Sequence, residues 1–335
     1  MQVAWNLGPE LGDLPVTPQP PSSTFARDVI EGLAKTPKAI PSKHFYDARG
    51  SDLFQRITQV PEYYLTRSEL EILETHGQWI VAEFGSTPLR IIELGVGDGH
   101  KTAVLLRRLL DSHTDFEFAP IDICPEAIST ATESLCRQLP ELASRIHGIA
   151  AEYLDGLAAL GAHNGRRNIV LFLGSNIGNL SHPEARRFLR RVASTLMPGD
   201  LLLVGFDLKK DVTVLEQAYN DASGVTREFN FNLLDRINRE LGGNFARDRF
   251  EHYAPYNPRT GCMESWLISR TRQSVRLRTV DRQFEFEPWE GILVERSHKY
   301  NLDDIETLAA SSGFLVGDHF LDRRRYFADS LWSRK

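Results

Sequence analysis

The run Glu93-Leu94-Gly95-Val96-Gly97-Asp98-Gly99 puts an acid two residues ahead of three alternating glycines. Glycines so placed let the backbone take positive φ and let a ligand come close to the main chain. The spacing is GxGxG, without the GxGxxG pattern that feeds a pyrophosphate to a helix N-terminus. A second acid, Asp122, ends the next apolar stretch. A carboxylate offers two oxygens at the spacing of a vicinal diol, which suits a ribose. Glu152-Tyr153 follows, an acid for an exocyclic amine beside a ring that can cover a purine. Glu93, Gly95, Gly97, Asp122, Glu152 and Tyr153 together point to S-adenosylmethionine and to methyl transfer.

Such groups need a scaffold, and the surrounding pattern supplies one. Short apolar strands are predicted over residues 89–94, 116–123, 146–150, 168–173 and 201–206, with amphipathic helices between them. Strand–helix alternation means a parallel sheet with right-handed crossovers, and ligands of such sheets sit beyond the C-terminal strand ends. A helix is expected from Thr24, and another from Thr66, where Thr66 and Glu69 stand three apart as a capping box. Ser181, Pro183 and Glu184 announce a third. The alternation stops over residues 209–298, where strand-like segments surround Trp266, Val275, Phe284 and Leu293. A last helix runs from Asn301 to near Gly313, followed by two strands. The expected fold is α/β: a Rossmann-like class I methyltransferase sheet with a smaller α+β substrate or lid domain. Residues 1–22 form a flexible arm, 23–62 with 209–298 the substrate domain, and 63–208 with 299–335 the cofactor domain.

Composition narrows the partners. The chain has 335 residues, a formal net charge of −6 and 25% charged residues, which argues against a phosphate-tracking surface. The short basic spots at Arg186-Arg187, Arg190-Arg191 and Arg323-Arg324-Arg325 read as solvated surface. Three scattered cysteines form no metal spacing and suit a reducing compartment. The first 21 residues lack signal-peptide character, and no run approaches 18 apolar residues. A cytoplasmic monomer acting on a small molecule is expected, with no metal, membrane or nucleic acid.

Two segments are too rich in aromatic and polar residues for ordinary loops. One runs His44-Phe45-Tyr46-Asp47-Ala48-Arg49-Gly50-Ser51-Asp52-Leu53-Phe54 and leads to Pro61-Glu62-Tyr63-Tyr64-Leu65-Thr66-Arg67. The other, Gly174-Ser175-Asn176-Ile177-Gly178-Asn179, follows the fourth strand. With Glu295-Arg296-Ser297, these segments resemble the histidine Nα-methyltransferases of ergothioneine biosynthesis, from about Phe25 to the C-terminus. The resemblance implies cofactor roles for Gly95, Lys101, Asp122, Glu152 and Tyr153, with Gly174 nearby; Glu152 stands where an aspartate is usual. It implies that Tyr63, Asn179 and Tyr219 hold the carboxylate and amino end of L-histidine, beside Gly174 and Asn176. Tyr46 and Phe54 wall the reacting nitrogen, making Tyr46 and Asn179 the catalytic candidates. Glu295 and Ser297 grip the imidazole. Ser265 stands where some relatives carry a methionine.

Those assignments make chemical sense. Histidine presents three nucleophilic nitrogens, and engaging both ring nitrogens leaves only the α-nitrogen to face a sulfonium. A ligand without ring nitrogens would strand a buried carboxylate at roughly 1–3 kcal/mol or more. The family implies three methylations, giving the betaine hercynine. The amine must lose its proton, so the rate should rise with pH. Three other readings stay open: a relative acting on tryptophan, motivated by Ser265; a nicotinamide-dependent oxidoreductase, which would bind NADH and not S-adenosylhomocysteine; and a non-catalytic binding or scaffold protein that has kept the fold.

Overall fold

The computed structural model describes residues 23–161 and 165–335. The arm expected over residues 1–22 lies outside the described residues. The chain forms two compact units: Tyr64–Lys210 with His298–Lys335, and residues 23–63 with Asp211–Ser297.

The second unit opens with α1 (Ser23–Leu33), whose Phe25, Val29 and Leu33 make a buried stripe at helical spacing. β1 (Lys38–Ala39) and α2 (Ala48–Gln59) follow. The sequence reading missed α2 because its first turn is polar. Asp47 caps that turn by accepting the Gly50 N–H at 2.7 Å, and it also accepts from Asn232 and Arg239 at 2.8 and 2.5 Å. Gly50 is obligatory there, since a Cβ would lie 1.8 Å from the Phe45 carbonyl oxygen. Two residues of the unusual aromatic-polar segment thus serve the backbone.

The first unit begins with α3 (Leu65–Phe84). The Thr66–Glu69 capping box does not form: the cap lies two residues earlier, at Tyr64, with no side-chain cap bond. Glu69 therefore lies in the second turn and is fully buried. The chain then alternates through β2 (Leu89–Leu94), α4 (His100–Asp111), β3 (Phe116–Asp122), α5 (Pro125–Gln138), β4 (Ile149–Ala150), α6 (Tyr153–Ala159), β5 (Arg167–Phe172), α7 (His182–Thr195) and β6 (Leu201–Asp207). The Ser181–Glu184 capping box of α7 is present. Every residue of β2 and β6 is buried, as expected of parallel strands covered on both faces.

Back in the second unit come α8 (Val212–Tyr219), α9 (Val225–Leu241), β7 (Phe250–Tyr253), β8 (Tyr256–Asn257), β9 (Cys262–Ser269), β10 (Gln273–Leu277), β11 (Arg282–Phe286) and β12 (Gly291–His298). The sheet order is β1-β12-β9-β7, with β8 on β9; β10 and β11 make a separate hairpin. α9 packs on α2, and Phe45, Phe229, Leu233, Leu267 and Ile292 share the core.

The first unit ends with α10 (Leu302–Ser312), β13 (Phe314–Leu321) and β14 (Phe327–Arg334). Its sheet runs β13-β14-β6-β5-β2-β3-β4, with β14 antiparallel to both neighbours and the strands from β6 to β4 parallel. Strand order reverses between β2 and β5, so the loops after these two strands border the crevice where such sheets take ligands.

Candidate active site

In the first unit, the loop after β2 carries Gly95, Gly97 and Gly99 at φ of 84°, 56° and 71°. A Cβ at Gly95 would sit 2.7 Å from the Tyr153 hydroxyl and 3.3 Å from Asn176 Nδ2, so the turn, α6 and the loop after β5 meet there. A Cβ at Gly97 would meet nothing within 4 Å, so that stretch of main chain faces open space. Gly99 caps α4 against Leu135.

Glu93 lies beneath the turn, 2% exposed. Its Oε1 accepts from the Thr102 hydroxyl at 2.6 Å, whereas Oε2 has no hydrogen-bond partner among the described residues. Burial pushes its pKa up to about 8. Asp122 ends β3, and its Oδ1 accepts the Cys124 N–H at 2.9 Å. Burial raises this carboxyl too, against the backbone N–H groups that favour its charge. Tyr153 packs edge-on to Phe172 and Phe188 with its hydroxyl at Gly95, and burial raises its pKa. Glu152 is exposed at the start of α6.

The loop after β5 has two successive left-handed residues, Gly174 and Ser175, at φ of 75° and 56°. Ser175 tolerates this because it is tied in: its hydroxyl accepts the Asp207 N–H at 3.1 Å. Such strain persists only where surroundings over-determine it, and it clusters at functional sites. Asn176 and Asn179 bound the 3-10 turn that follows. Gly178 passes under His298, whose carbonyl oxygen would lie 2.9 Å from an added Cβ. A Cβ at Gly174 would lie 3.3 Å from the Lys101 ammonium. Lys101 pairs with Glu69. Burial works against its charge, but the Glu69 carboxylate outweighs this and raises its pKa.

The second unit assembles its own group. Tyr46, Phe54 and Tyr63 form a chain of edge-on rings, with centroids 5.7 and 6.3 Å apart. Phe229 of α9, which sequence reasoning missed, backs both Tyr46 and Phe54, at 5.7 and 6.0 Å. Only a tertiary contact singles it out from the other apolar residues of α9. The Ser265 hydroxyl of β9 donates to Glu295 Oε2 of β12 at 2.9 Å. Ser297 lies two residues further along β12, on the same strand face, and is buried. Tyr219 ends α8, buried, on a helix that packs against β9. Glu69 is the other residue that sequence reasoning misassigned, because its spacing from Thr66 mimics a cap.

The first unit thus presents a cradle of glycine backbone, acids and one amine, and the second an aromatic wall and an oriented carboxyl. Residues 25–334 match the model of a family described as histidine-specific methyltransferase, SAM-dependent. A histidine N-alpha-methyltransferase of Mycolicibacterium smegmatis is 41% identical over 310 residues, covering 92% of this chain and 95% of the relative. One of Mycobacterium tuberculosis is 36% identical over 329 residues, covering 98% and 96%. Ergothioneine biosynthesis protein 1 of Neurospora crassa is 30% identical over 282 residues, which are 83% of this chain and 31% of that longer protein.

Proposed function

The chain belongs to the histidine-specific, S-adenosylmethionine-dependent methyltransferases, and from that premise we propose that it methylates the α-nitrogen of free L-histidine, three times in succession, to the trimethyl betaine. The observation that carries the substrate assignment is the Ser265–Glu295 hydrogen bond: a carboxyl held in one orientation, with Ser297 on the same strand face. A carboxylate and a hydroxyl match the two nitrogens of an imidazole, one a donor and one an acceptor in the neutral ring.

The residues fit the cofactor. The Gly97 backbone faces open space, a side chain at Gly95 would collide with Tyr153, and the orphan oxygen of Glu93 calls for a cationic or donating partner. S-adenosylmethionine supplies an electrophilic methyl on a sulfonium. Asp122 receives the ribose diol, and Lys101 and the Gly174 backbone border the amino-acid end. Asn179, Tyr63 and Tyr219, all neutral, orient the substrate's carboxylate and amino end without adding charge. Tyr46 and Phe54 shape the space around the accepting nitrogen, and no strong acceptor need lock it, which suits repeated methylation. Holding nucleophile and methyl in near-attack geometry supplies the main acceleration, about 7–11 kcal/mol in favourable cases. A cytoplasmic monomer feeding ergothioneine synthesis is part of this reading; the similarity to the Neurospora protein supports the pathway.

The test is incubation with labelled S-adenosylmethionine and each amino acid in turn, read by mass spectrometry. Histidine alone should gain label, and its product should carry three methyl groups. A monomethyl end product would end the trimethylation claim, and preferential labelling of tryptophan would end the histidine assignment. Asn179→Ala should nearly abolish turnover while sparing S-adenosylhomocysteine binding.

A further inference from the structure

Glu69 is fully buried in the second turn of α3 and reaches two elements of the first unit at once. Its Oε1 accepts the Gly174 N–H at 2.7 Å, and its Oε2 pairs with the Lys101 ammonium. The sheet makes room for it: a Cβ on Gly205 of β6 would lie 2.3 Å from Glu69 Oε1. Gly205 stands directly opposite Asp329 of β14, which is also fully buried, so the Asp329 side chain lies on the same sheet face as Glu69. Burial and the neighbouring Glu69 raise the Asp329 carboxyl well above the usual range.

We infer that Glu69 is a positioning residue for the cofactor, holding the Lys101 ammonium and the left-handed Gly174 turn in place, with Asp329 packed behind it. This rests on the assignment of Lys101 and Gly174 to the cofactor's amino-acid end. A lysine head on a four-carbon stem has many rotamers, and a buried carboxylate selects one. Gly174 and Ser175, both at positive φ, need an external anchor to stay so, and the Gly174 N–H finds it in Glu69. One side chain thus sets both a charged donor and a main-chain turn, from a helix that carries none of the glycine motif.

The test is calorimetric titration of S-adenosylhomocysteine into the wild type, Glu69→Gln, Lys101→Met and the double variant. Glu69→Gln turns an acceptor facing Lys101 into a donor, so affinity should fall about tenfold or more. KM for S-adenosylmethionine should rise in step, with KM for histidine little changed. The double variant should lose less than the sum of the two single losses, because the part of Glu69's effect that runs through Lys101 is already gone while its hold on Gly174 is not. Fully additive losses, or wild-type affinity in Glu69→Gln beside a weakened Lys101→Met, would overturn the inference and leave the cofactor assignment intact. Wild-type affinity in Lys101→Met would instead remove that assignment, and the inference with it. If Glu69→Gln does not fold, Glu69→Asp keeps the buried charge but is too short to reach both partners; its affinity must still fall, and unchanged binding would refute the role.

Discussion

Two carboxyls, Glu93 and Glu295, show what single residues contribute. Glu93 is buried with one oxygen lacking a partner, and its pKa is pushed up to about 8, so at neutral pH the ligand-free protein holds it mostly protonated. A cationic ligand group selects the ionised form. S-adenosylhomocysteine affinity measured by calorimetry should therefore increase as pH rises from about 6 toward 8 and level off above, with proton release on binding. Glu93→Gln should flatten that profile; an unchanged profile would place the titrating group elsewhere. The same shift acts on folding with the opposite sense. A carboxyl raised from 4.5 favours the folded state fully at low pH and withdraws that support as pH climbs through about 8. Glu295 depends on Ser265, whose hydroxyl gives it a hydrogen bond that a methionine at this position could not. Ser265→Ala should weaken histidine binding by roughly 1–3 kcal/mol, the range for leaving an acceptor without its donor. Glu295→Ala should erode the preference for histidine over other amino acids in competition assays. Wild-type selectivity in both variants would mean that the ring is read elsewhere.

At the scale of elements, glycines decide where backbone segments can meet. Gly50 lets the first turn of α2 close under the Phe45 carbonyl, with Asp47 as its cap. A methyl group has no space 1.8 Å from a carbonyl oxygen, so Gly50→Ala must shift the turn. Overpacking of this kind costs about 1–3 kcal/mol, occasionally more. The midpoint of urea denaturation should fall accordingly, and an unchanged midpoint would show that α2 can slide without cost. Asp47→Ala should lose the cap and the bonds to Asn232 and Arg239 together. In the post-β5 loop, Gly178 plays the same part beneath His298. Asp47, Gly50 and Gly178 are therefore backbone requirements within the distinctive motifs.

For the molecule as a whole, the residue that organises the first unit near its chain crossings is Asp207. The chain passes between units after residues 63, 210 and 297, and Tyr64, Lys210 and Lys299 all converge on this one buried carboxylate. Burial opposes its charge, but Lys299 and Lys210 more than compensate and lower its pKa. Lys210, largely desolvated, is itself lowered to about 8. Removing one partner of a buried ionic group leaves uncompensated charge, at a cost of about 3–5 kcal/mol. Asp207→Asn should lower the thermal midpoint accordingly, without altering the preference for histidine in the protein that remains folded. A midpoint within a degree or so of wild type would show that both lysines find water instead.

Local pattern and composition were enough to establish the parallel strands, the glycine turn after β2, the capped α7 and the closing helix and hairpin. Each depends on periodicity, caps or turns, which are properties of neighbours in the chain. The segments around Tyr46, Tyr63 and Asn179 also stood out in the sequence, through their unusual residue types. Tertiary structure alone decided the rest. Thr66 and Glu69 have the spacing of a cap, yet Glu69 is drawn inward because a lysine and an amide from distant segments converge on it, over a glycine that leaves room. Phe229 joins Tyr46 and Phe54, and Ser265 orients Glu295 from a neighbouring strand, for the same reason. Whether a polar side chain caps, pairs or binds depends on which partners the fold brings within hydrogen-bond reach, and those partners lie tens or hundreds of residues away.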